Sequence, residues 1–355
     1  MVHVIPTAVA RGAQVYARAL ADELDTPGQR HLVLCLFGHA GDVEVDEWLG
    51  VEAGGLAGQG FDPRVAIRLR WRIRQLAPRA VVAHGGDALK YVAFAHRRSP
   101  VAYLAIGTLA TSARKGARQQ LWRAMVRRAE AVVAVSEDVA AECRSALEVR
   151  GDRLVVIPNG RDPAVFHPTP HRASPAAPPI VLFVGRMIPG KRPDRFIRVV
   201  DELRARGIDV RAVAAGDGPM RSQLDEAARR AGVELPGAVG DVGDLMRRAD
   251  LLVFPSEPEG EGMPGVLIEA GLSGLPVVAT DVAGVRDVVA DGVSGIVVPV
   301  EDLAALVQAS AELLSDRERR QSMGAAARAR CNELFTMRSS ATRWRELLAE
   351  LPPAR

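Results

Sequence analysis

The chain has 355 residues, of which 48% are hydrophobic and 25% are charged. This balance excludes an intrinsically disordered protein, and the length exceeds what one ordinary hydrophobic core needs, so two domains are expected. Of the 46 basic residues only Lys90, Lys115 and Lys191 are lysine, and the formal net charge is +3. Such mild basicity suits an anionic ligand without requiring one. It gives no reason to expect nucleic acid as a partner.

The apolar runs of the sequence are short. The longest, such as Ile180–Val184 and Leu251–Phe254, have the length of strands and cannot span a membrane. Met1 is not followed by a signal-peptide pattern, so a cytoplasmic protein is expected. The spacing of the cysteines indicates neither a zinc site nor a disulfide framework: Cys35, Cys143 and Cys331. No bound metal and no cofactor are expected.

In the first half, short apolar runs alternate with helical patterns. The predicted strands are Val2–Ile5, Leu32–Phe37, Ala80–Ala83, Val101–Ile106, Ala131–Val135 and Leu154–Ile157. Helical periodicity is clearest over Gln14–Leu24 and Arg118–Arg128. This alternation predicts a parallel sheet with helices on both faces.

A proline-rich segment then separates two halves of the chain. Residues His167–Pro179 contain five prolines and cannot readily continue a helix or a central strand. We therefore predict an N-terminal domain over 1–170, a linker over 171–179 and a C-terminal domain over 180–340. A helical tail over 341–355 could pack back on the N-terminal domain.

The alternation restarts after the proline-rich segment. The predicted strands are Ile180–Val184, Val210–Ala214, Leu251–Phe254, Pro276–Ala279 and Ile296–Val298. The predicted helices are Pro193–Arg206, Met220–Ala231, Val266–Leu272 and Asp302–Leu314. The fold class is therefore α/β, with two doubly wound, Rossmann-like domains. Ligands of such sheets bind outside the carboxyl ends of the strands, which predicts a site in an interdomain cleft.

The strongest motif lies between the strand ending at Phe254 and a helix expected to start near Pro264 or Gly265. It places Glu261 in a Gly- and Pro-rich loop and Glu269 in the helix. The backbone N–H groups at the helix start can receive an anion or sugar hydroxyls. Two carboxylates at this spacing can hold different parts of one polyhydroxylated ligand.

This Glu-x7-Glu pattern, with Pro-Ser before it and Gly-x-Pro-Val-Val-Ala-Thr after it, resembles the retaining family 4 glycosyltransferases of the GT-B fold. The resemblance implies that Glu269 binds the ribose hydroxyls of a nucleotide-diphosphate sugar and that Glu261 contacts the donor sugar. It further implies that the sugar and phosphate site is lined by Met263, Pro264, Gly265 and Val266.

A second motif follows the first strand of the C-terminal half. Gly185 and Arg186 close this strand, and Lys191 stands just before the next helix. Arginine offers a forked donor and lysine a point charge, which together suit a diphosphate. The resemblance places both cations on the donor diphosphate, where they would stabilise the charge of the leaving group.

Two further turns match the family. Gly-Asp-Gly-Pro at residues 216–219 departs from the dinucleotide-binding pattern because Arg221 occupies its third glycine position, so we interpret it as structural. The resemblance places Val239 and Gly240 beside the nucleobase. An Asn-Gly-x-Asp turn at residues 159–162 indicates hinge and cleft architecture.

The N-terminal half matches the family less well. Gly12 remains from a paired-glycine loop near the phosphates, while Arg11 replaces the other glycine. Many family members carry a histidine where this chain has Ile106. His84, at the end of a predicted strand, is the alternative candidate for a catalytic histidine, and Asp87 is a weaker candidate for binding the acceptor.

Two basic helical regions, Arg64–Arg79 and Arg114–Arg128, are consistent with docking on an anionic membrane. Solvated helix faces in an arginine-rich protein are the favoured interpretation, because neither region shows a strongly hydrophobic opposite face. Peripheral membrane association is therefore not favoured.

The predicted function is retaining transfer of a sugar from a nucleotide-diphosphate donor to the hydroxyl of a natural product, glycolipid or other small acceptor. One alternative is a sugar phosphorylase or nucleotide-sugar epimerase of GT-B form, which shares the phosphate chemistry. Another is a non-catalytic nucleotide-sugar-binding protein, because the family histidine is missing.

Overall fold

A computed structural model describes residues 1–9, 11–51, 60–95, 98–109, 115–169, 177–259 and 261–354. The chain divides into two compact units: unit 1 comprises Met1–Gly160 with Met337–Arg355, and unit 2 comprises Arg161–Thr336. The predicted linker between the domains covers 171–179, of which residues 171–176 lie outside the described part. The chain changes unit earlier because Arg161 already donates its backbone N–H to the carbonyl of Phe335, at 2.9 Å.

The described strands of unit 1 form one parallel sheet in the order β3-β2-β1-β4-β5-β6-β7. They are β1 (Val2–Ile5), β2 (Leu32–Phe37), β3 (Glu47–Val51), β4 (Val81–His84), β5 (Val101–Ala105), β6 (Ala131–Ala134) and β7 (Leu154–Val156). The six predicted strands of this half are confirmed. Strand β3 was not predicted, because Glu47 and Gly50 interrupt its apolar pattern.

Helices surround this sheet. They are α1 (Gly12–Leu24), α2 (Pro63–Leu76), α3 (Gly85–Ala95), α4 (Gly116–Val126) and α5 (Glu137–Ser145). Helix α1 buries Tyr16, Leu20 and Leu24, which recur at the spacing of one helix face. The backbone N–H of Arg64 donates to the Asp62 carboxylate at 2.9 Å, which caps the start of α2.

The described strands of unit 2 form a second parallel sheet in the order β10-β9-β8-β11-β12-β13. They are β8 (Ile180–Val184), β9 (Arg211–Ala215), β10 (Val233–Gly237), β11 (Leu251–Phe254), β12 (Val277–Thr280) and β13 (Gly295–Val298). The five predicted strands are confirmed. The unpredicted β10 is an edge strand whose Glu234 and Pro236 side chains are exposed.

The helices of unit 2 are α6 (Pro193–Ala205), α7 (Arg221–Ala231), α8 (Val242–Arg248), α9 (Gly265–Leu272), α10 (Val285–Val288), α11 (Leu303–Ser315) and α12 (Arg317–Leu334). Their apolar faces cover the sheet. Phe183 of β8 and Phe196 of α6 are buried in this core with ring centroids 5.7 Å apart.

The last helix, α13 (Met337–Glu350), packs on α1 within unit 1. Trp344 is fully buried and donates its indole N–H to the Tyr16 hydroxyl at 3.0 Å. The same hydroxyl lies 2.7 Å from Oγ of Ser340. The end of the chain thereby completes the hydrophobic core of the unit in which the chain begins.

Both sheets reverse their strand order beside their first strand, between β1 and β4 and between β8 and β11. The predicted doubly wound, Rossmann-like architecture is thus confirmed for each unit. In such sheets the crossovers leave a crevice at the carboxyl ends of the two strands where the order reverses, and ligands bind there. None of the described helices combines the length and apolar character that crossing a bilayer requires.

Candidate functional site

The loop after β8 is held in shape by the Gly-Asp-Gly-Pro turn that follows β9. The backbone N–H of Met187 donates to the carbonyl of Asp217 at 2.9 Å. Gly216 has φ +140°, and a Cβ atom there would lie 1.9 Å from the carbonyl oxygen of Gly185. Only glycine fits so close to another backbone. The turn therefore braces the segment that carries the exposed Arg186 side chain.

Lys191 and Glu261 form an ion pair at the β8/β11 reversal of unit 2. Glu261 is only 6% exposed, and the Lys191 ammonium also lies 5.5 Å from the centroid of the Phe254 ring. A carboxylate this buried needs a close cation to stay charged. The pair therefore fixes a cation and an anion side by side at the end of β11.

Backbone contacts place the loop after β11 beside the loop after β8. The backbone N–H of Glu257 donates to the carbonyl of Gly190 at 2.8 Å. Thr280 donates its hydroxyl to the carbonyl of Ser256 at 2.6 Å. Gly284 packs against the same loop, because a Cβ atom there would lie 2.1 Å from the carbonyl oxygen of Gly262.

Helix α9 begins at Gly265, as the motif predicted, and carries the second carboxylate, Glu269. Arg161 donates from Nε to Oε1 of Glu269 at 2.6 Å and is itself only 8% exposed. A Cβ atom on Gly265 would lie 1.9 Å from Nη2 of Arg161, so the guanidinium covers the helix start. Sequence reasoning assigned residue 161 to a hinge turn and missed this contact, because the partners are 108 residues apart.

The remaining predicted donor-site residues lie on the same unit. Met263 and Pro264 are buried in the loop that leads into α9, and Val266 follows in its first turn. Val239 and Gly240 lie in the segment between β10 and α8. The structure thus brings Lys191, Glu261, Arg161, Glu269 and Gly265 into two contacting groups. The individual roles of all these residues stay predictions.

Unit 1 has a cavity of about 340 Å³ at its own strand reversal, lined by residues after β1 and β4. Its lining includes Arg11, Gln14, His84, Asp87 and Lys90. Gly12, the first residue of α1, is exposed beside it. Asp87 is exposed and pairs with Lys90 at 3.3 Å. The structure therefore places the candidate catalytic His84 and the candidate acceptor-binding Asp87 around one cavity, with Gly12 beside it.

His84 is 2% exposed and lies in a chain of three histidines. Its Nε2 is 2.9 Å from Nδ1 of His3, and Nε2 of His3 is 3.0 Å from Nδ1 of His31. Burial lowers the pKa of His84 to about 3 and that of His31 to about 4, and it lowers the pKa of His3 well below its usual value. All three rings are therefore neutral at pH 7. The catalytic role of His84 stays a prediction.

The exposed surfaces of the two basic regions are not uniformly polar, as the next residues show. Helix α2 exposes Ile67 and Trp71 among its arginines, whereas the Trp122 ring of α4 packs over Gly86. Arg114 of the second region lies outside the described residues. Among the described residues, no cluster of three or more His, Cys, Asp or Glu side chains is arranged to hold a metal ion.

Two family descriptions match the chain. Glycosyltransferase Family 4 matches residues 10–165, and Glycosyl transferases group 1 matches residues 178–316. A D-inositol 3-phosphate glycosyltransferase from Nocardia farcinica is 34% identical over 280 residues, covering 72% of this chain and 57% of that protein. An alpha-D-kanosaminyltransferase from Streptomyces kanamyceticus is 36% identical over 151 residues, covering 41% of this chain and 39% of that protein. The chain spans about half the length of the curated relatives it matches.

Solved structures share the fold over almost the whole chain. Anabaena HepE in complex with UDP-glucose has a TM-score of 0.80 at 22% identity, with 99% of both chains covered. Sucrose-phosphate synthase from Thermosynechococcus elongatus has a TM-score of 0.83 at 18% identity, with 98% of both chains covered. At these identities the likeness establishes the fold.

Proposed function

Because the chain belongs to glycosyltransferase family 4, we propose that it transfers a sugar from a nucleotide-diphosphate donor to an acceptor hydroxyl with retention of anomeric configuration. The observation that carries the proposal is the pair of held carboxylates in unit 2, Glu261 beside Lys191 and Glu269 beside Arg161. Both pairs lie on loops and helices at the carboxyl ends of β8 and β11, where doubly wound sheets bind nucleotides.

The donor diphosphate would bind between the cations and the start of α9. Arg186 is exposed on a braced loop, and Lys191 is fixed by Glu261 on the adjacent loop. The first N–H groups of α9 lack partners within the helix and carry its positive dipole end. When the bond to the sugar breaks, negative charge grows on the leaving diphosphate, and fixed cations stabilise that charge most.

The carboxylates would bind the two hydroxylated parts of the donor. Glu261 uses one oxygen for Lys191, so its other oxygen is available to accept from a sugar hydroxyl. Glu269 uses Oε1 for Arg161, which likewise leaves Oε2 for the ribose. Each cation holds its carboxylate in place through an ion pair, so we assign Arg161 as a positioning residue for Glu269.

Replacing Arg161 by leucine is expected to weaken binding of UDP and of UDP-glucose by the same factor, about tenfold, which corresponds to about 1.4 kcal/mol. The factor should be the same because the ribose is common to both ligands. Arg161→Lys should recover part of the affinity. The measurement is calorimetric Kd of each ligand, with kcat and KM determined alongside.

Glu261→Gln serves as the matched comparison. It should weaken UDP-glucose binding by a larger factor than UDP binding, because Glu261 is assigned to the sugar, whereas Lys191, which it fixes, is assigned to the diphosphate of both ligands. If Arg161→Leu changed kcat alone, or weakened UDP-glucose but not UDP, the positioning role of Arg161 would be wrong.

The acceptor would be a hydroxylated molecule bound in unit 1. The relative from Nocardia farcinica is named for D-inositol 3-phosphate, a polyhydroxylated compound. The unit 1 cavity lies at the equivalent strand reversal and is lined by polar side chains. We therefore propose that a small polyol or sugar derivative accepts the transferred sugar.

A ligand panel tests the proposed function on the full chain. UDP-glucose, UDP-N-acetylglucosamine and GDP-mannose should be screened by thermal shift, since only a ligand that binds the folded state raises Tm. Product analysis by NMR, with and without D-inositol 3-phosphate or a glycerol acceptor, then separates transfer from phosphorolysis and epimerisation. Failure of every nucleotide sugar to raise Tm would refute the assignment.

A further inference from the structure

Two buried polar atoms in the unit 1 cavity have no hydrogen-bond partner among the described residues: Nδ1 of His84 and Oε1 of Gln14. Their side chains are 2% and 7% exposed, and both residues line the cavity. Leaving a buried polar group unpaired is unfavourable. Each such group in a folded protein therefore needs an explanation, and a ligand that supplies the missing partner is one.

The histidine chain determines whether Nδ1 of His84 is a donor or an acceptor. The chain continues from His84 through His3 and His31 to Gln29, whose amide Nε2 lies 3.2 Å from Nε2 of His31. An amide NH₂ only donates, and a neutral imidazole has one donor and one acceptor nitrogen. Once the first ring accepts, the protonation site of every later ring is fixed.

The polarity of the chain, meaning which nitrogen of each ring donates and which accepts, is assigned one ring at a time from Gln29 to His84. Nε2 of His31 accepts from Gln29, so Nδ1 of His31 carries the proton and donates to Nε2 of His3. Nδ1 of His3 then carries its proton and donates to Nε2 of His84. Nδ1 of His84 is therefore an N–H donor. Because burial keeps the three rings neutral, no second proton disturbs this order.

We propose that the Nδ1–H of His84 and the Oε1 of Gln14 bind one hydroxyl group of the acceptor, and that Gln29 sets this polarity from the other end of the histidine chain. The inference rests on the proposed function and specifies the chemistry of its acceptor side. A hydroxyl is the group that accepts one hydrogen bond and donates one. A carboxylate would leave Gln14 without a donor, and an ammonium would leave His84 without an acceptor.

This assignment makes His84 a binding group and not a general base, because its unpaired nitrogen, Nδ1, already carries a proton. Entry of the hydroxyl requires a wall side chain to move. Ile106 lies over Gly85, lines the same cavity and is 36% exposed.

The tautomers can be measured by NMR on the full chain with ¹⁵N-labelled histidine at pH 8, without ligand. Wild-type His84 should carry its proton on Nδ1. Gln29→Glu replaces the donor by a carboxylate acceptor, so the order should reverse and move the proton of His84 to Nε2. Gln29→Lys keeps a donor at the same exposed position and should leave the wild-type order unchanged. A wild-type proton on Nε2, or one unaffected by Gln29→Glu, would overturn the proposal.

Binding is tested with glycerol and with D-inositol 3-phosphate as probes. Either probe should shift the Nδ1 resonance of His84 saturably in the wild type, and the shift should be lost in Gln14→Leu and Gln29→Glu but kept in Gln29→Lys. The melting temperature of each variant controls for unfolding. Absence of a saturable shift with both probes, in a protein that binds a nucleotide sugar, overturns this inference alone. Absence of nucleotide-sugar binding overturns the proposed function instead.

Discussion

Replacing Arg186 by alanine is expected to lower kcat for sugar transfer by about 100-fold or more, which corresponds to about 2.7 kcal/mol of transition-state stabilisation. Arg186 is exposed on a loop against which the Gly216 turn packs, and the melting temperature of the variant checks that the fold is kept. The cation is assigned to the leaving diphosphate, whose charge rises in the transition state. The loss should therefore fall mainly on kcat, with a smaller change in donor KM.

The measurement is steady-state turnover of the nucleotide sugar identified by thermal shift. Arg229→Ala is the matched control, because Arg229 is an exposed arginine on helix α7 of the same unit, in its last turn. It should retain wild-type kcat. If Arg186→Ala kept turnover within about threefold of the wild type, Arg186 would have no part in the mechanism.

Acid is expected to unfold unit 1 before unit 2. His3 and His84 are buried and neutral, and burial depresses the pKa of both, to about 3 for His84. In the unfolded chain these rings titrate near pH 6.5. Below that pH the unfolded state binds more protons than the folded state, so folding stability is present above about 6.5 and is lost as the pH falls toward 3.

The folding stability of unit 1 should fall steeply as the pH is lowered. Each buried histidine contributes about 1.4 kcal/mol per pH unit in this window, so His3, His31 and His84 together contribute about 4 kcal/mol per unit. A domain is stabilised by only about 5–15 kcal/mol, so a fall of two pH units consumes a large part of that. Unit 2 is the internal comparison, since His167, its one histidine among the described residues, is partly exposed.

Calorimetric unfolding should be compared at pH 7.5 and pH 5. The transition of unit 1 should move to lower temperature in acid, and the transition of unit 2 should move less. His84→Gln removes one titrating ring, so it should reduce the pH slope of the unit 1 transition by about one proton even if it lowers overall stability. Equal movement of both transitions, or an unchanged slope in His84→Gln, would contradict this explanation.

The sequence alone was sufficient to predict those strands and helices whose local residue pattern matches their local structure. Continuous apolar runs such as Leu251–Phe254 predicted the buried strands of two parallel sheets, because a strand covered on both faces must be apolar along its length. The strand–loop–helix motif predicted a helix that starts near Pro264 or Gly265 with Glu261 in the loop before it, and α9 begins at Gly265. The edge strand β10 escaped prediction because exposed residues interrupt its pattern.

The pairings at the site were decided only by tertiary structure. Nothing within a few residues of Arg161 indicates that it holds Glu269, and nothing near Gln29 indicates that it lies at the end of a histidine chain reaching His84. These contacts depend on strand order, which brings segments distant in sequence to the same end of a sheet. The sequence therefore determined which chemical groups this protein has, whereas the order of its strands determined which of them meet.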